Sequence, residues 1–214
     1  YAGIIGGAGG GLTLTAGTET LSGVNTYTGT TTINGGTLVA ANASALGSTA
    51  GGTTVGNGGT LNINGAAIGN EAVTLNRAGV GSNGALTATG TASLGGVIAL
   101  ATDSTIGAAT GADVLTLSGT VNGASALNIA GAGSVTFGNT VGATTALTSL
   151  SQGASNALNI NGGLVRTVGA QTYSGTVATS GATVLTSTGG GNISAINTGN
   201  SFSGDLSLNA GGIV

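Results

Sequence analysis

The sequence predicts an all-β protein built as an elongated, parallel β-solenoid of about nine coils. Three observations lead to this prediction. Aliphatic and polar residues alternate in short runs, Gly and Asn separate the runs, and several short motifs recur along the chain. Recurrence of short motifs is typical of solenoids, in which each repeat packs only on its neighbours.

The alternating runs predict the strands. Successive side chains of a strand point to opposite faces, so each run has one aliphatic face and one Thr, Asn or Ser face. No comparable pattern occurs at helical spacing, and 46 Gly residues at about 1 kcal/mol per interior position disfavour helices. The runs are Leu12–Thr15, Leu61–Asn64, Val73–Asn76, Leu115–Ser118, Leu127–Ile129, Val135–Phe137, Leu158–Asn161 and Leu206–Asn209.

The turn signals between the runs fit two structures. Asn-Gly pairs, such as Asn34-Gly35, Asn57-Gly58 and Asn161-Gly162, tolerate the positive φ angles of two-residue hairpins. The corners of a parallel solenoid need the same residues. Internal repetition favours the solenoid over hairpins.

Three offsets describe the repeat. Gly35–Leu38 recurs as Gly58–Leu61, and this first offset of about 23 residues suits one full coil. Leu115–Leu117 precedes Leu127–Ile129 by about half of that length, and this short offset suits successive strands within a coil. The motif at Ala126–Ile129 recurs as Ala157–Ile160, and we interpret this long offset as variation in coil length.

The predicted core contains mainly small aliphatic residues, because aromatic residues make up only 2% of the chain. A β-sandwich of this size usually buries several large rings, so a sandwich or tandem small β domains are the less favoured alternatives. At the usual strand spacing, nine coils form a rod about 45 Å long. We treat residues 1–214 as a single solenoid segment that forms part of a longer fibre or repeat protein.

The composition argues against several functions. His and Cys are absent, which removes the usual nucleophile–base pairs and the imidazole and thiolate metal ligands. We therefore predict no catalytic, cofactor-binding or metal-binding residues and no cofactor. Two Arg and no Lys argue against nucleic-acid binding, and the longest apolar run, near Val97–Ala101, is too short to insert into a membrane.

The few charged residues are interpreted as incidental solvated groups. Asp103 and Asp113 lie ten residues apart, a spacing that favours different faces of the solenoid. Glu71 and Arg77 are close enough in sequence to form an ion pair. Clustering of Asp103, Asp113 and Asp205 in one groove would instead favour a polysaccharide-acting enzyme.

Two other features have structural interpretations. The Gly-rich segment Gly7–Gly11 lacks the strand, helix and Lys of a phosphate loop and is predicted to be a flexible entry segment. Tyr27 and Tyr173 occur in similar Thr-Tyr-(Thr/Ser)-Gly contexts. We expect them to pack at coil edges, and exposed ligand contacts are the alternative.

A motif near the start of the chain resembles the autotransporter-associated β-strand repeat. Residues Val24–Leu38 read VNTYTGTTTINGGTL, and Ser44–Gly47 follow as SALG. The family pattern is tytGgTtInGGtL…alG, from which Thr30 departs, and the close likeness covers about residues 24–64. Gln171–Val177 are similar to the looser repeats of filamentous-haemagglutinin-like adhesins. The resemblance implies a right-handed parallel β-helix, secretion through a bacterial outer membrane, and a role as passenger stalk or adhesin.

Three functions are considered on these grounds. The first is a non-enzymatic structural solenoid of an extracellular or cell-surface fibre, the second an adhesin segment, and the third a polysaccharide-acting enzyme. Tyr1–Gly11 and Asn209–Val214 contain no charged capping helix or Pro, so both ends are expected to abut further solenoid. The predicted partner is a second copy or more of the same chain, with surface glycans or host proteins as candidate ligands.

Overall fold

The short aliphatic and polar runs form strands that pair in parallel from one coil to the next. In a computed structural model, which describes residues 1–211, these strands stack as a β-solenoid of about nine turns. The paired strands within the described residues are all parallel, so the solenoid prediction is confirmed and hairpins are excluded there. Register pairing links Leu12 to Leu208 through nine successive steps, by way of residues 31, 53, 73, 98, 121, 141, 165 and 185.

The coils contribute strands in turn to three ladders, and the first two coils have no strand in ladder 3. Ladder 1 contains Leu12–Leu14, Thr31–Ile33, Thr53–Val55, Val73–Arg77, the first part of Ile98–Ala108, Val121–Asn122, the bridge residue Val141, Leu164–Thr167, Thr183–Ser187 and Leu206–Ala210. Ladder 2 contains Thr18–Leu21, Gly36–Ala40, Gly59–Asn64, Leu86–Thr89, the second part of Ile98–Ala108, Leu127–Gly131, Leu150–Gln152, Gln171–Tyr173 and Ile193–Ala195. Ladder 3 contains Ala67–Ile68, Thr91–Leu94, Val114–Leu117, Ser134–Phe137, Ala157–Ile160, Thr176–Thr179 and Ser201–Phe202.

Helical structure in the described residues is limited to one 3₁₀ turn, Val80–Ser82. It lies in a loop between Val73–Arg77 of ladder 1 and Leu86–Thr89 of ladder 2. Residues 1–211 contain no helix with the length and apolarity needed to span a bilayer.

The ladders explain two of the offsets, the first between Gly35–Leu38 and Gly58–Leu61 and the long one between Ala126–Ile129 and Ala157–Ile160. Gly36 pairs with Gly59 in the adjacent coil, which confirms that the first offset is one full coil. The interpretation of the long offset is wrong, because its two copies lie in ladders 2 and 3. Leu127 of ladder 2 pairs with Leu150, whereas Leu158 of ladder 3 pairs with Val135.

The short offset also needs correction. Leu115 lies in ladder 3 and Leu127 in ladder 2, with Val121–Asn122 of ladder 1 between them, so this offset skips one strand. Coil length does vary along the solenoid. Hydrogen bonds between adjacent coils join Gly9 to Thr28 across 19 residues and Asn62 to Thr87 across 25 residues.

The core consists of aliphatic columns along the axis of the solenoid. In ladder 2, five successive side chains are completely buried: Leu38, Leu61, Leu86, Ile106 and Ile129. Burial of each such side chain contributes about 1.5–3 kcal/mol relative to leaving it exposed. Large rings are therefore not required, because each interior coil buries its residues against the coils on either side.

The outward side chains form a second, polar set of columns. Asn62 donates from Nδ2 to Thr87 Oγ1 over 2.9 Å, one coil further on. Asn159 donates in the same way to Ser134 Oγ over 3.1 Å. Amide and hydroxyl groups thus hydrogen-bond between coils and to water, which allows a chain with only 3% charged residues to keep a polar surface.

Tyr27 and Tyr173 are both buried, so the alternative of exposed ligand contacts is wrong. Tyr27 and Tyr173 are 1% and 0% exposed. The Tyr27 hydroxyl lies 2.6 Å from Thr31 Oγ1, and Tyr173 donates to Gln171 Oε1 over 2.8 Å. Each ring is accommodated because a polar neighbour within the coil satisfies its hydroxyl.

The first residues form part of a coil, so the prediction of a flexible entry segment at Gly7–Gly11 is wrong. Gly29 donates its backbone N–H to Gly10 over 2.8 Å, and Gly9 donates to Thr28 Oγ1 over 2.7 Å. These bonds pair the segment with the second coil. At the other end, the strand Leu206–Ala210 has one paired neighbour among the described residues, and residues 212–214 of the predicted uncapped segment lie outside them.

Candidate functional site

The loop that contains the 3₁₀ turn creates a cleft at the corner between ladders 1 and 2. Strand Val73–Arg77 ends at Arg77, and the chain leaves the coil before it returns at Leu86. In the next coil, Ile98–Ala108 turns the same corner with an irregularity between Leu100 and Ser104. The result is an open cleft of about 390 Å³.

The cleft crosses five successive coils. Asn57, Arg77, Ser82, Asp103, Asn128 and Ser151 contribute its polar side chains. One wall of the cleft is formed by Thr105, Asn128 and Ser151. They are register partners in successive coils, so this wall runs parallel to the solenoid axis. At about 4.8 Å per coil, the cleft is about 19 Å long.

The backbone around the cleft has unusual conformations. Arg77 and Ser82 have φ angles of 67° and 60°, and they are the non-Gly residues with positive φ among those described. Such conformations carry a cost and are enriched at binding and active sites. They place both side chains, which are exposed, at the rim of the cleft.

Asp103 is positioned by the coil that follows it. Its Oδ1 atom accepts a hydrogen bond from the backbone N–H of Ala126 over 2.8 Å. Asn128 in turn accepts at Oδ1 from Ser151 Oγ over 2.9 Å, and within residues 1–211 its exposed Nδ2 group has no hydrogen-bond partner. The cleft therefore offers both donors and acceptors in a fixed arrangement.

The predicted pair of Glu71 and Arg77 does not form. Glu71 is 2% exposed, whereas Arg77 is exposed at the cleft. Glu71 Oε1 instead accepts a hydrogen bond from Thr53 Oγ1 over 2.7 Å. The ion pair found in residues 1–211 joins the Tyr1 ammonium and Glu19.

Asp113 has a structural environment on another part of the coil. Its carboxylate accepts three hydrogen bonds, from the backbone N–H of Gly90 and from the N–H and Oγ1 of Thr110, at 2.7–2.9 Å. These bonds lower the pKa of Asp113 below its ordinary value of 3.8. The carboxylate ties two coils together and is not directed to a ligand.

The acidic residues do not converge. Asp103 lines the cleft, Asp113 bonds Gly90 and Thr110, and Asp205 lies exposed in the last described coil. Within residues 1–211, no three acidic side chains come together as metal ligands would. The groove of Asp residues that would have favoured a polysaccharide-acting enzyme is therefore not formed.

The comparisons with known proteins address the repeat itself. Residues 15–40 match the sequence model of the passenger-associated-transport-repeat family, and this match includes the motif at Val24–Leu38. The chain thus fits an autotransporter passenger β-helix repeat protein. No curated protein and no solved structure matches the chain.

The repeat family implies a secreted or cell-surface protein. Together with the solenoid, it supports a structural or adhesin role of the passenger type. Family and fold both suggest a non-catalytic role.

The buried carboxyl group of Glu71 predicts a pH effect on stability. Burial raises the pKa of Glu71 above its ordinary value of 4.5, although the bond from Thr53 opposes the shift. Because the pKa of Glu71 is higher in the folded chain than in the unfolded chain, the contribution of its carboxyl group to stability is present below the unfolded pKa. That contribution is lost as the pH rises through the folded pKa. We expect Glu71→Gln to be more stable than the parent chain at pH 7 by about 1 kcal/mol, because Gln retains the acceptor oxygen without a buried charge.

Chemical denaturation at pH 4 and pH 7 measures this effect. The advantage of Glu71→Gln should grow as the pH rises. Asp113→Asn is the matched comparison, and its stability relative to the parent chain should change with pH in the opposite direction. The lowered pKa of Asp113 makes its carboxylate stabilising above the unfolded pKa. An advantage of Glu71→Gln that shrinks toward pH 7 would contradict this account.

Proposed function

We propose that this chain is a non-enzymatic structural β-solenoid of a bacterial extracellular fibre, surface shaft or matrix filament, and that copies stack end to end. The observation that carries the proposal is the exposed inner face of the last described coil. Side chains that continue the buried columns of the solenoid remain open to solvent there.

Two residues define this inner face. Leu208 pairs with Leu185, which is 2% exposed, but is itself 49% exposed. Phe202 pairs with Thr179 in ladder 3 and is 38% exposed. Within residues 1–211 no further coil covers these two side chains, and one more coil would remove them from water.

The opposite end offers a complementary edge. Strand Leu12–Leu14 pairs on one side with Thr31–Ile33, and Tyr1 and Ile4 are 61% and 67% exposed. Because all paired strands of the described chain run in parallel, the first coil of one copy can extend the ladders of the last coil of another. A head-to-tail contact of this kind is repeated without closure and generates a filament.

Electron microscopy and sedimentation across a range of concentrations test this proposal. We expect rods that lengthen beyond the about 45 Å of one chain. Leu208→Asp should abolish lengthening, because it places a charge in the buried contact. Val97→Asp is the control, since Val97 is 53% exposed in the middle of the solenoid.

The outcomes separate the alternatives. A parent chain that stays monomeric at every concentration would overturn stacking between copies and would favour continuation by more coils of one polypeptide. Equal loss of assembly in both variants would show that the contact is not at the coil end. The adhesin role is a second candidate, favoured by the cleft described above.

A further inference from the structure

The geometry points to the cleft at the corner of ladders 1 and 2 as a binding site for a neutral, linear glycan. This inference is independent of end-to-end stacking, because the cleft lies on the side of the solenoid. It rests on the polar groups of the cleft, their charge balance and the length of the cleft.

The polar groups are available to a ligand. Within residues 1–211, the guanidinium of Arg77 and the hydroxyl of Ser82 have no hydrogen-bond partner. One oxygen of Asp103 is used by Ala126, and the other is free to accept. Asn128 Nδ2 is available to donate. Vicinal hydroxyl groups, which both donate and accept, match such a mixture of planar donors and acceptors.

The charge balance favours a neutral ligand. Arg77 and Asp103 carry opposite charges, and the remaining polar groups of the cleft are amides and hydroxyls. An anionic ligand would meet the carboxylate of Asp103, and a cationic ligand would meet the guanidinium of Arg77. An uncharged, hydroxyl-rich chain satisfies both groups without leaving a charge unpaired.

The shape of the cleft favours a linear chain. It is open and extends over five coils, from Asn57 to Ser151. The spacing of about 4.8 Å between coils is similar to the length of one sugar unit, so successive coils can contact successive units. The cleft has no aromatic platform among its described lining residues, and we therefore expect weak binding that depends on hydrogen bonds.

Arg77 and Arg166 provide a matched pair of variants. Arg166 lies outside the cleft, where its Nη1 atom is 3.5 Å from the carbonyl oxygen of Ala143. Asn is chosen as the replacement because it tolerates the positive φ of residue 77. We expect Arg77→Asn to weaken binding at least tenfold and Arg166→Asn to leave it unchanged.

The experiment is an NMR titration of the ¹⁵N-labelled full chain with tetrasaccharides of glucose and of N-acetylglucosamine, and with an acidic galacturonate tetrasaccharide. The neutral probes should shift the amide signals of Gly58, Gly79, Ser82, Asp103 and Asn128. The absence of shifts from both neutral probes at about 10 mM, a concentration at which weak binding is detected, would overturn the inference. Shifts from the acidic probe alone, or shifts confined to ladder 3, would also overturn it. Because this readout does not depend on polymerisation, its failure is distinct from failure of the stacking proposal.

Discussion

Replacing Gly96 with Ala is expected to lower the free energy of unfolding by about 3 kcal/mol or more. A methyl group on Gly96 would lie well under 3.0 Å from the backbone carbonyl of Glu71 in the preceding coil. A methyl group on Gly119 would meet the carbonyl of Gly96 in the same way. These glycines stack on one another at a corner, and neither backbone can move without disturbing the ladder bonds of two coils.

Gly69→Ala is the matched control, because a methyl group there has no neighbour within 4 Å. We expect it to be neutral or to stabilise the chain by up to about 1 kcal/mol through the unfolded state. Chemical denaturation of both variants measures the difference. Equal stability of the two variants would mean that the coils do not approach each other at Gly96.

Phe137→Ala should also destabilise the solenoid strongly, by about 3–5 kcal/mol. Phe137 is 1% exposed and stands between Leu117 and Ile160 in a column of ladder 3. Its removal leaves a cavity in a core that contains few other rings to rearrange. Small aliphatic neighbours held by ladder bonds cannot fill the space.

Phe202 provides the comparison within the same ladder. It is 38% exposed in the last described coil, so Phe202→Ala should cost only about 1–2 kcal/mol in dilute solution. Under conditions where copies stack, the cost of this variant should rise because a second copy covers the ring. Similar losses for Phe137→Ala and Phe202→Ala in dilute solution would contradict the burial of the column.

Much of the fold follows from local pattern. The alternating runs predict strands because period-2 alternation separates an aliphatic face from a polar face, and Leu61–Asn64 and Leu158–Asn161 behave in this way. The recurrence of Gly35–Leu38 predicts the register pairing of Gly36 with Gly59. Here the same residues recur because the same corner and strand recur one coil later.

The number of strands per coil is harder to predict. Similar motifs, such as those at Ala126 and Ala157, occupy different ladders, because all three ladders require the same alternation of aliphatic and polar residues. A motif shared by two ladders produces an offset that is not a coil length. The short strands at Val121–Asn122 and Ala67–Ile68 have too little alternation to be recognised on their own.

The cleft could not be predicted from the charged residues. Proximity in sequence predicts a pair between Arg77 and Glu71, yet Glu71 points into the core and Arg77 out of it. Arg77 and Asp103 share the cleft because they lie one coil apart, a relationship that depends on coil register. The length of one coil does indicate the loop beside the cleft. Asn62 contacts Thr87 across 25 residues, and the extra residues of this long coil form that loop.

The central claim is that coils stack in register along one axis, and distances between spin labels test it most directly. The chain has no Cys, so Cys can be introduced at Thr32 together with Asn122 or Thr186, which are outward positions of ladder 1. Register pairing places residue 122 four coils from residue 32 and residue 186 seven coils away. At about 4.8 Å per coil, we expect separations of about 19 Å and about 34 Å. A distance to residue 186 that is no longer than the distance to residue 122 would contradict the solenoid.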